Sequence, residues 1–399
     1  MKHKKYDIVV IGAGPAGSVT ARNLANKGYK VLLCEKRPVV GVPVRCGEAV
    51  TTRQRLSDFT DINERYIETD VHGVIIVTPK HRIKYNKRNC GLMIDRAIFD
   101  QDLAAQAEQA GAELCLDARV SSISSLINSR RNLEVVTKEG THNIVASMVV
   151  GADGVESLCG QMVGLKCRQM PKSTCSTIEF RIKGEDAHPH HLSFWTHYSG
   201  IDKGYVWVFP KVKSNVINIG CGKITPHLQE PNMHEVMMKF KEEFFPKNKI
   251  VTIHGGAVPV SGNIREYVSD RFLLTGDAAH HTNPLTGGGI ISAMQGAVCS
   301  SQWIDKAFKT GNFSREFFKG YEDACWKTFG KYHQKQMRIR EFVLGLPKKD
   351  ENIFFDILNY MVVHDFSIFS KFIGYVKVFG LLLRNFAFIR RLLRKTKKL

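Results

Sequence analysis

Two glycine-bearing segments near opposite ends of the chain have the residue types and spacing to hold phosphates and sugar hydroxyls. The first is Gly12-Ala13-Gly14-Pro15-Ala16-Gly17, and the second runs from Thr275-Gly276-Asp277 to Gly287-Gly288-Gly289-Ile290. In the first, Gly12 permits a tight turn, Gly14 lets backbone approach a pyrophosphate, and Gly17 lets a helix pack on a strand. Phosphates placed there meet free N–H groups at the positive end of a helix. Glu35, closing the next apolar run, is placed to accept hydrogen bonds from an adenosine ribose. Asp277 follows an apolar strand and precedes small residues, so its carboxylate can hold a ribitol hydroxyl. Gly287, Gly288 and Gly289 then let a helix N-terminus approach a flavin ring. The plainer explanation of such an aspartate is a helix cap. Two such loops on one nucleotide domain, separated by a long insertion, point to FAD rather than NAD.

The elements that must position these residues follow from local pattern. Residues 6–11 form an unbroken apolar run of the kind found in buried parallel strands. Residues 16–27 have helical spacing with Gly28 at the end, and residues 30–35 form the second strand, completing the βαβ unit that the glycine fingerprint requires. Residues 95–111 read as a helix, and 113–123, 133–137 and 147–151 as strands. From about 173 to 260 the pattern turns to alternation, which predicts an antiparallel sheet inserted between two halves of the nucleotide domain. The expected fold is α/β with an α+β insertion. A Rossmann-like FAD-binding domain spans 1–172 and 261–300, with residues 70–95 contributing to the substrate side. The antiparallel-sheet substrate domain covers 173–260, and a helical C-terminal region with a basic amphipathic tail covers 301–399.

The residues 12–17, Gly151-Ala152-Asp153-Gly154 and 276–289 resemble the shared signatures of the para-hydroxybenzoate hydroxylase superfamily. More narrowly, Lys36-Arg37-Pro38 followed by Pro43-Val44-Arg45-Cys46-Gly47-Glu48 is similar to the geranylgeranyl reductases. So are Tyr205-Val206-Trp207-Val208-Phe209-Pro210-Lys211 and Asn283-Pro284-Leu285-Thr286-Gly287-Gly288-Gly289. The resemblance is to the archaeal-type digeranylgeranylglycerophospholipid reductases, over about the first three hundred residues. It implies FAD contacts at Ala16, Glu35, Cys46, Gly47, Ala49, Arg96, Val120, Asp277, Gly289 and Ile290. Arg96 also makes sense by itself, since it begins a helix and can reach an anionic pyrophosphate bidentately; its bland alternative is an exposed helix cation. Two departures stand out. Ser157 is followed by Leu158-Cys159-Gly160, without the arginine common three residues after the serine, which bears on nicotinamide handling of the hydroxylase kind. His280 stands where the reductases usually have glycine.

Tyr205, Trp207 and Phe209 alternate and so share one face of a strand. Taken alone they are as well explained by a plain core; by the resemblance they line an apolar tunnel for a geranylgeranylated lipid. Lys211 then lies near a phosphate headgroup or is simply exposed. The implied reaction saturates isolated C=C bonds with hydride from FADH2, and Cys46 is the candidate catalytic residue, as a proton donor or as a residue that shapes the site. The alternatives are an FAD-dependent monooxygenase or hydroxylase acting on an aromatic or isoprenoid substrate, and a non-catalytic membrane-attached lipid-binding flavoprotein. The electron donor is unidentified, either a ferredoxin or a reduced nicotinamide.

The formal net charge of +19 favours an anionic partner. No nucleic-acid-reading motif accompanies it, so an acidic membrane surface is expected and nucleic acid is not. Residues 366–399 combine apolar and cationic character, with Lys377, Arg384, Arg391 and Lys398 spaced every seven residues. That pattern suits a helix lying in the membrane interface, or equally one packed on the protein. The ten cysteines include no C-x-x-C pair, which fits a reducing cytoplasm. The apolar run after Lys5 leads into Gly12, so it reads as a strand rather than a signal sequence. The expected location is cytoplasmic, peripheral at the inner face of the cell membrane. No metal site is expected, and His188-Pro189-His190-His191 reads as a surface loop.

Overall fold

A computed structural model describes residues 1–167, 173–224, 232–262, 266–346 and Asp356 of the chain. In chain order the elements begin with β1 (Lys5–Ile11), α1 (Pro15–Ala25), β2 (Val31–Cys34), β3 (Ala49–Val50), α2 (Arg53–Ser57), β4 (Ile67–Val77), β5 (Arg82–Ile94) and α3 (Arg96–Gln109). There follow β6 (Glu113–Cys115), β7 (Arg119–Ile123), β8 (Arg131–Thr137), β9 (Gly140–Gly151), α4 (Leu158–Met162), β10 (Thr174–Lys183), β11 (His191–Trp195), β12 (Gly204–Lys211) and β13 (Val216–Ile224). The last are α5 (Met233–Phe244), β14 (Ile250–Pro259), β15 (Val268–Ser269), β16 (Phe272–Leu274), α6 (Ile290–Thr310), α7 (Arg315–Cys325) and α8 (Lys331–Leu344).

The chain forms two compact units. The first comprises Met1–Ile67, Ile94–Ser176 and His254–Gln336. Its sheet runs β15-β16-β9-β1-β2-β6, with β7 and β8 joined to it through β9. Strands β16, β9, β1, β2 and β6 pair in parallel. Such strands are covered on both faces, which is why Ile8, Val9, Val10, Leu32, Leu33, Val149, Val150 and Leu273 are wholly buried. The run read as one strand over 113–123 is two, β6 and β7, broken where Asp117 takes a left-handed conformation (φ 48°). β9 is longer than its apolar half predicted, because its first half pairs antiparallel with β8 while its second half pairs parallel with β1. Helices α1 and α6 are tied by Thr20 Oγ1 and Ser300 Oγ, 3.2 Å apart and buried.

The second unit comprises Glu68–Met93 and Thr177–Ile253 with the described residues after Gln336. Its strands run in the order β10-β13-β12-β11-β4-β5. β11, β12 and β13 are antiparallel as alternation predicted, but β11 runs parallel to β4. Sequence alternation is the same for either direction, so that pairing needed the tertiary fold. One face of the sheet packs on α5, burying Phe180, Val206, Val208, Ile217, Ile219 and Phe240. No helix among the described residues is long and apolar enough to cross a membrane. The basic tail at 366–399 lies outside the described residues.

Candidate functional site

The three glycine-bearing segments meet within the first unit. Gly12 N–H donates to Cys34 O (2.7 Å), Ala152 N–H to Ile11 O (2.8 Å) and Thr275 N–H to Gly151 O (2.9 Å), so β1, β2, β9 and β16 end together. Side chains cannot be added at this point. A Cβ on Gly12, which has φ 101°, would overlap the Ala152 carbonyl, and one on Gly17 would overlap the carbonyl of Gly12. A Cβ on Gly276 would lie 2.8 Å from that of Ala16, which brings the second fingerprint against the first. By contrast, nothing lies within 4 Å of the Cβ position of Gly14, leaving open space before the start of α1.

That space fits a dinucleotide. Helices α2, α3, α5 and α7 each begin with a side-chain cap, from Thr52, Asp95, Asn232 and Ser314 respectively. Helices α1 and α6, whose N-caps are Gly14 and Gly289, have none. Their first amides and positive dipole ends are therefore left for an anionic or carbonyl-bearing group. Glu35 stands at the mouth of the first loop, its Oε2 accepting from Ala13 N–H (2.9 Å) and its Oε1 from Arg37 N–H (3.1 Å). Each oxygen keeps a lone pair for a sugar hydroxyl. Asp277 Oδ1 accepts from Thr282 Oγ1 at 2.8 Å. Burial raises the Asp277 pKa, opposed by the Thr282 hydrogen bond and by the charge of Arg96. Gly289 leaves room beside it, since a Cβ there would come within 3.0 Å of Asp277 Oδ1.

Cys46 is half-buried, as is Gly47 after it, while Arg45 before it is exposed. Its Sγ accepts from Glu48 N–H at 3.2 Å. Glu48 is fully buried in a left-handed conformation (φ 67°), and its Oε1 accepts from Arg96 N–H at 2.9 Å. The Arg96 guanidinium, expected at a pyrophosphate, is gripped by Asp100, with Nε and Nη2 donating at 3.1 and 2.9 Å. Burial opposes the charge on Arg96, but Asp100 and Cys46 together raise its pKa above the usual arginine range. Sequence reasoning missed Glu48 and Asp100 as parts of this site. The i,i+4 spacing of Arg96 and Asp100 on one helix was a usable signal for the second. Ala49 lies in β3, Val120 is buried in β7 with only 7% exposure, and Ile290 opens α6.

His280, also left-handed (φ 56°), places Nδ1 2.5 Å from Ser261 Oγ. His281 Nδ1 accepts from Gly276 N–H (3.2 Å), buttressing the second loop from behind. Burial lowers the pKa of His280 to about 4, of His281 to about 3 and of His333 to about 4.

In the second unit, Tyr205, Trp207 and Phe209 share one strand face, opposite the Val206 and Val208 that pack on α5. Phe194 joins them, with ring centroids 5.4 Å from Tyr205 and 5.3 Å from Phe209. Trp207 lies across β13 at Gly220, where any Cβ would strike the indole, and its Nε1–H donates to Glu179 Oε2 at 3.1 Å. Lys211 is buried at 3% exposure, which removes the simply exposed alternative. The histidine cluster is split: residues 188–190 form a turn and His191 begins β11, with His72 and His190 stacked at 5.1 Å.

Comparison with known proteins agrees with the cradle. A family described as "FAD binding domain" matches residues 5–328. The digeranylgeranylglycerophospholipid reductase 1 of Methanococcoides burtonii is 32% identical over 87% of this chain and 86% of its own length. The corresponding reductase of Methanosarcina mazei is 33% identical, over 87% of this chain and 86% of its own. The chain belongs to the geranylgeranyl reductase family. A geranylgeranyl bacteriochlorophyll reductase-like protein from Thermoplasma acidophilum superposes with a TM-score of 0.84 at 26% identity, covering 96% of this chain and 99% of that one. A p-nitrophenol 4-monooxygenase from Pseudomonas putida shares the fold at 17% identity and a TM-score of 0.72, over 89% of this chain and 94% of its own. FAD is the cofactor.

Two predictions follow from this geometry. Asp277→Ala removes the carboxylate beside the uncapped α6, and FAD affinity is expected to fall roughly tenfold or more, the scale of a lost charge-assisted hydrogen bond. Flavin fluorescence titration of the apoprotein checks it; wild-type affinity contradicts the assigned role. The second concerns acid. An unfolded histidine takes up a proton near pH ~6.5, whereas these three stay neutral down to about 4, 3 and 4. The stability they contribute is thus fully present above pH ~6.5 and lost as pH falls through the folded values. Urea midpoints are expected to drop over that window, and less steeply in His281→Gln.

Proposed function

We propose that this chain is an FAD-dependent reductase that saturates isolated C=C bonds of geranylgeranyl chains in ether phospholipid precursors. The observation that carries the reading is the cradle formed by the two glycine loops, in a chain whose relatives named as reductases match over 87% of its length. An isolated trisubstituted alkene has no carbonyl to polarise, so it needs hydride at one carbon and a proton at the other. Reduced FAD supplies the hydride. The chain's own residues hold, orient and protonate.

Gly12, Gly14, Ala16 and Gly17 with the α1 amides would take the pyrophosphate, Glu35 the ribose, and Asp277 the ribitol. Gly289 and Ile290 at the start of α6 would stand against the ring, with Cys46, Gly47 and Ala49 on the segment facing it. In the second unit, which we assign to the substrate together with residues 70–95, Tyr205, Trp207 and Phe209 offer apolar surface to an isoprenoid. Such a chain has no hydrogen-bonding groups, and burial contributes roughly 0.8 kcal/mol per CH2. Lys211, ending the same strand, is the candidate partner of the phosphate headgroup.

An acidic membrane surface would bring the enzyme to its substrate. The +19 net charge supports this, as does a run of exposed cations along β5. Arg82, Lys84, Lys87 and Arg88 are all exposed there around Tyr85, and none forms an ion pair with a described residue. Each such cation near an anionic surface contributes on the order of 1 kcal/mol. The electron donor is a reduced nicotinamide or a ferredoxin.

Chemically reduced enzyme, mixed without oxygen with a geranylgeranylated glycerophospholipid, is expected to regain oxidised-flavin absorbance at a rate set by lipid concentration. Flavin reoxidised only by oxygen, with a hydroxylated product, would favour a monooxygenase instead. For membrane attachment, the full chain is expected to sediment with vesicles containing anionic lipid and to be released by salt. Equal recovery with neutral vesicles contradicts the electrostatic reading.

A further inference from the structure

Within the second unit, Trp207 is held by more than packing. Its indole reaches from β12 across β13, over Gly220, where any Cβ would overlap the six-membered edge of the ring. Beyond β13 it meets β10, and Nε1–H donates to Glu179 Oε2 at 3.1 Å. Three neighbouring strands thus supply the donor, the gap and the acceptor. Glu179 is 5% exposed, and its other oxygen, Oε1, lies 3.9 Å from Arg181 Nε. A glutamate is seldom buried without such partners. The α5 side of the same sheet treats a tryptophan differently. Trp195 on β11 packs against Phe240 and Phe244 of α5, with ring centroids 5.2 and 4.6 Å away. Its Nε1–H has no hydrogen-bond partner among the described residues.

Where a helix covers it, an indole is fixed by its neighbours alone. A ring that meets a ligand lacks that permanent cover, and each wasted orientation weakens binding, because ordering it then falls on the ligand. We propose that Glu179 is a positioning residue for isoprenoid binding: its carboxylate, with the gap at Gly220, locks the Trp207 indole across β13. The inference rests on reading Tyr205, Trp207 and Phe209 as the isoprenoid surface. Tyr205 and Phe209 flank the indole, with ring centroids 6.0 and 6.2 Å away, and Phe194 stands directly opposite Trp207 on β11. An isoprenoid has no hydrogen-bonding groups, so the shape of this row is what it can recognise. A turned indole changes that shape. A carboxylate suits the task because a charge-assisted hydrogen bond is short and directional, and a buried indole N–H needs a partner. The reach is specific as well, since the acceptor must span from β10 to a ring lying over β13.

The test is binding of geranylgeranyl phosphate to the oxidised, FAD-bound enzyme, measured by calorimetric titration below the micelle concentration. Glu179→Asp draws the carboxylate back by one CH2, and Gly220→Ala displaces the ring; each is expected to weaken binding about tenfold. Glu179→Gln keeps an oxygen for the indole and should stay within about threefold of wild type. Trp207→Phe is itself expected to bind more weakly. In that background, which has no N–H to hold, Glu179→Asp should change affinity by less than about twofold. A purely structural Glu179 would lower the melting temperature and leave affinity alone. Wild-type affinity in Glu179→Asp, a Gln variant as weak as the Asp one, or an equal loss with and without the indole overturns the inference. Should Glu179→Asp not fold, Gly220→Ala decides, and wild-type affinity there overturns it. The underlying reading fails separately: wild-type affinity in Trp207→Phe removes the aromatic row from isoprenoid binding.

Discussion

The first unit depends on one close approach of backbone. Strands β1, β9 and β16 end flush, and at their ends Gly12, Ala152 and Gly17 stand so near one another that no side chain fits on either glycine. A parallel sheet can bring strand ends from residues 11, 151 and 274 to one edge only through long crossovers. Once they are there, their loops must share the same small volume. Glycine is the residue that permits this, and Gly12 also uses a positive φ.

The same constraint creates the cofactor cradle. With Gly14 and Gly289 as N-caps, α1 and α6 begin without the side-chain oxygens that finish α2, α3, α5 and α7. Their unsatisfied amides are stable only with a ligand or water against them. The carboxylates follow the same logic at different distances. Glu35 and Asp277 keep acceptor capacity for hydroxyls, while Glu48 and Asp100 are spent on holding Arg96. A cradle for an anionic dinucleotide and a buried carboxylate frame around Arg96 thus lie within the same unit.

Much of this could be read from residues 1–35 and 275–290, because each step there is local: a buried apolar run, a glycine turn, a helix and an acidic residue at the next strand end. Non-local partners could not be read. Glu48 belongs to a quoted motif, but its left-handed backbone and its bond to Arg96 depend on chain segments nearly fifty residues apart. Alternation placed Tyr205, Trp207 and Phe209 on one face but carried no information about Gly220 and Glu179, which seat the indole from two other strands. The parallel pairing of β11 with β4 and the double role of β9 are likewise invisible to periodicity, which reports faces and not neighbours. Lys211 shows the limit of composition, since a lysine is seldom buried and this one is.

What the molecule does to an isoprenoid is decided most directly by weighing the lipid. After incubation of a geranylgeranylated glycerophospholipid with chemically reduced enzyme under nitrogen, mass spectrometry should show products heavier by successive pairs of hydrogens, with no added oxygen. A lipid that returns with its mass unchanged, or one that gains oxygen when air is admitted, would contradict the account.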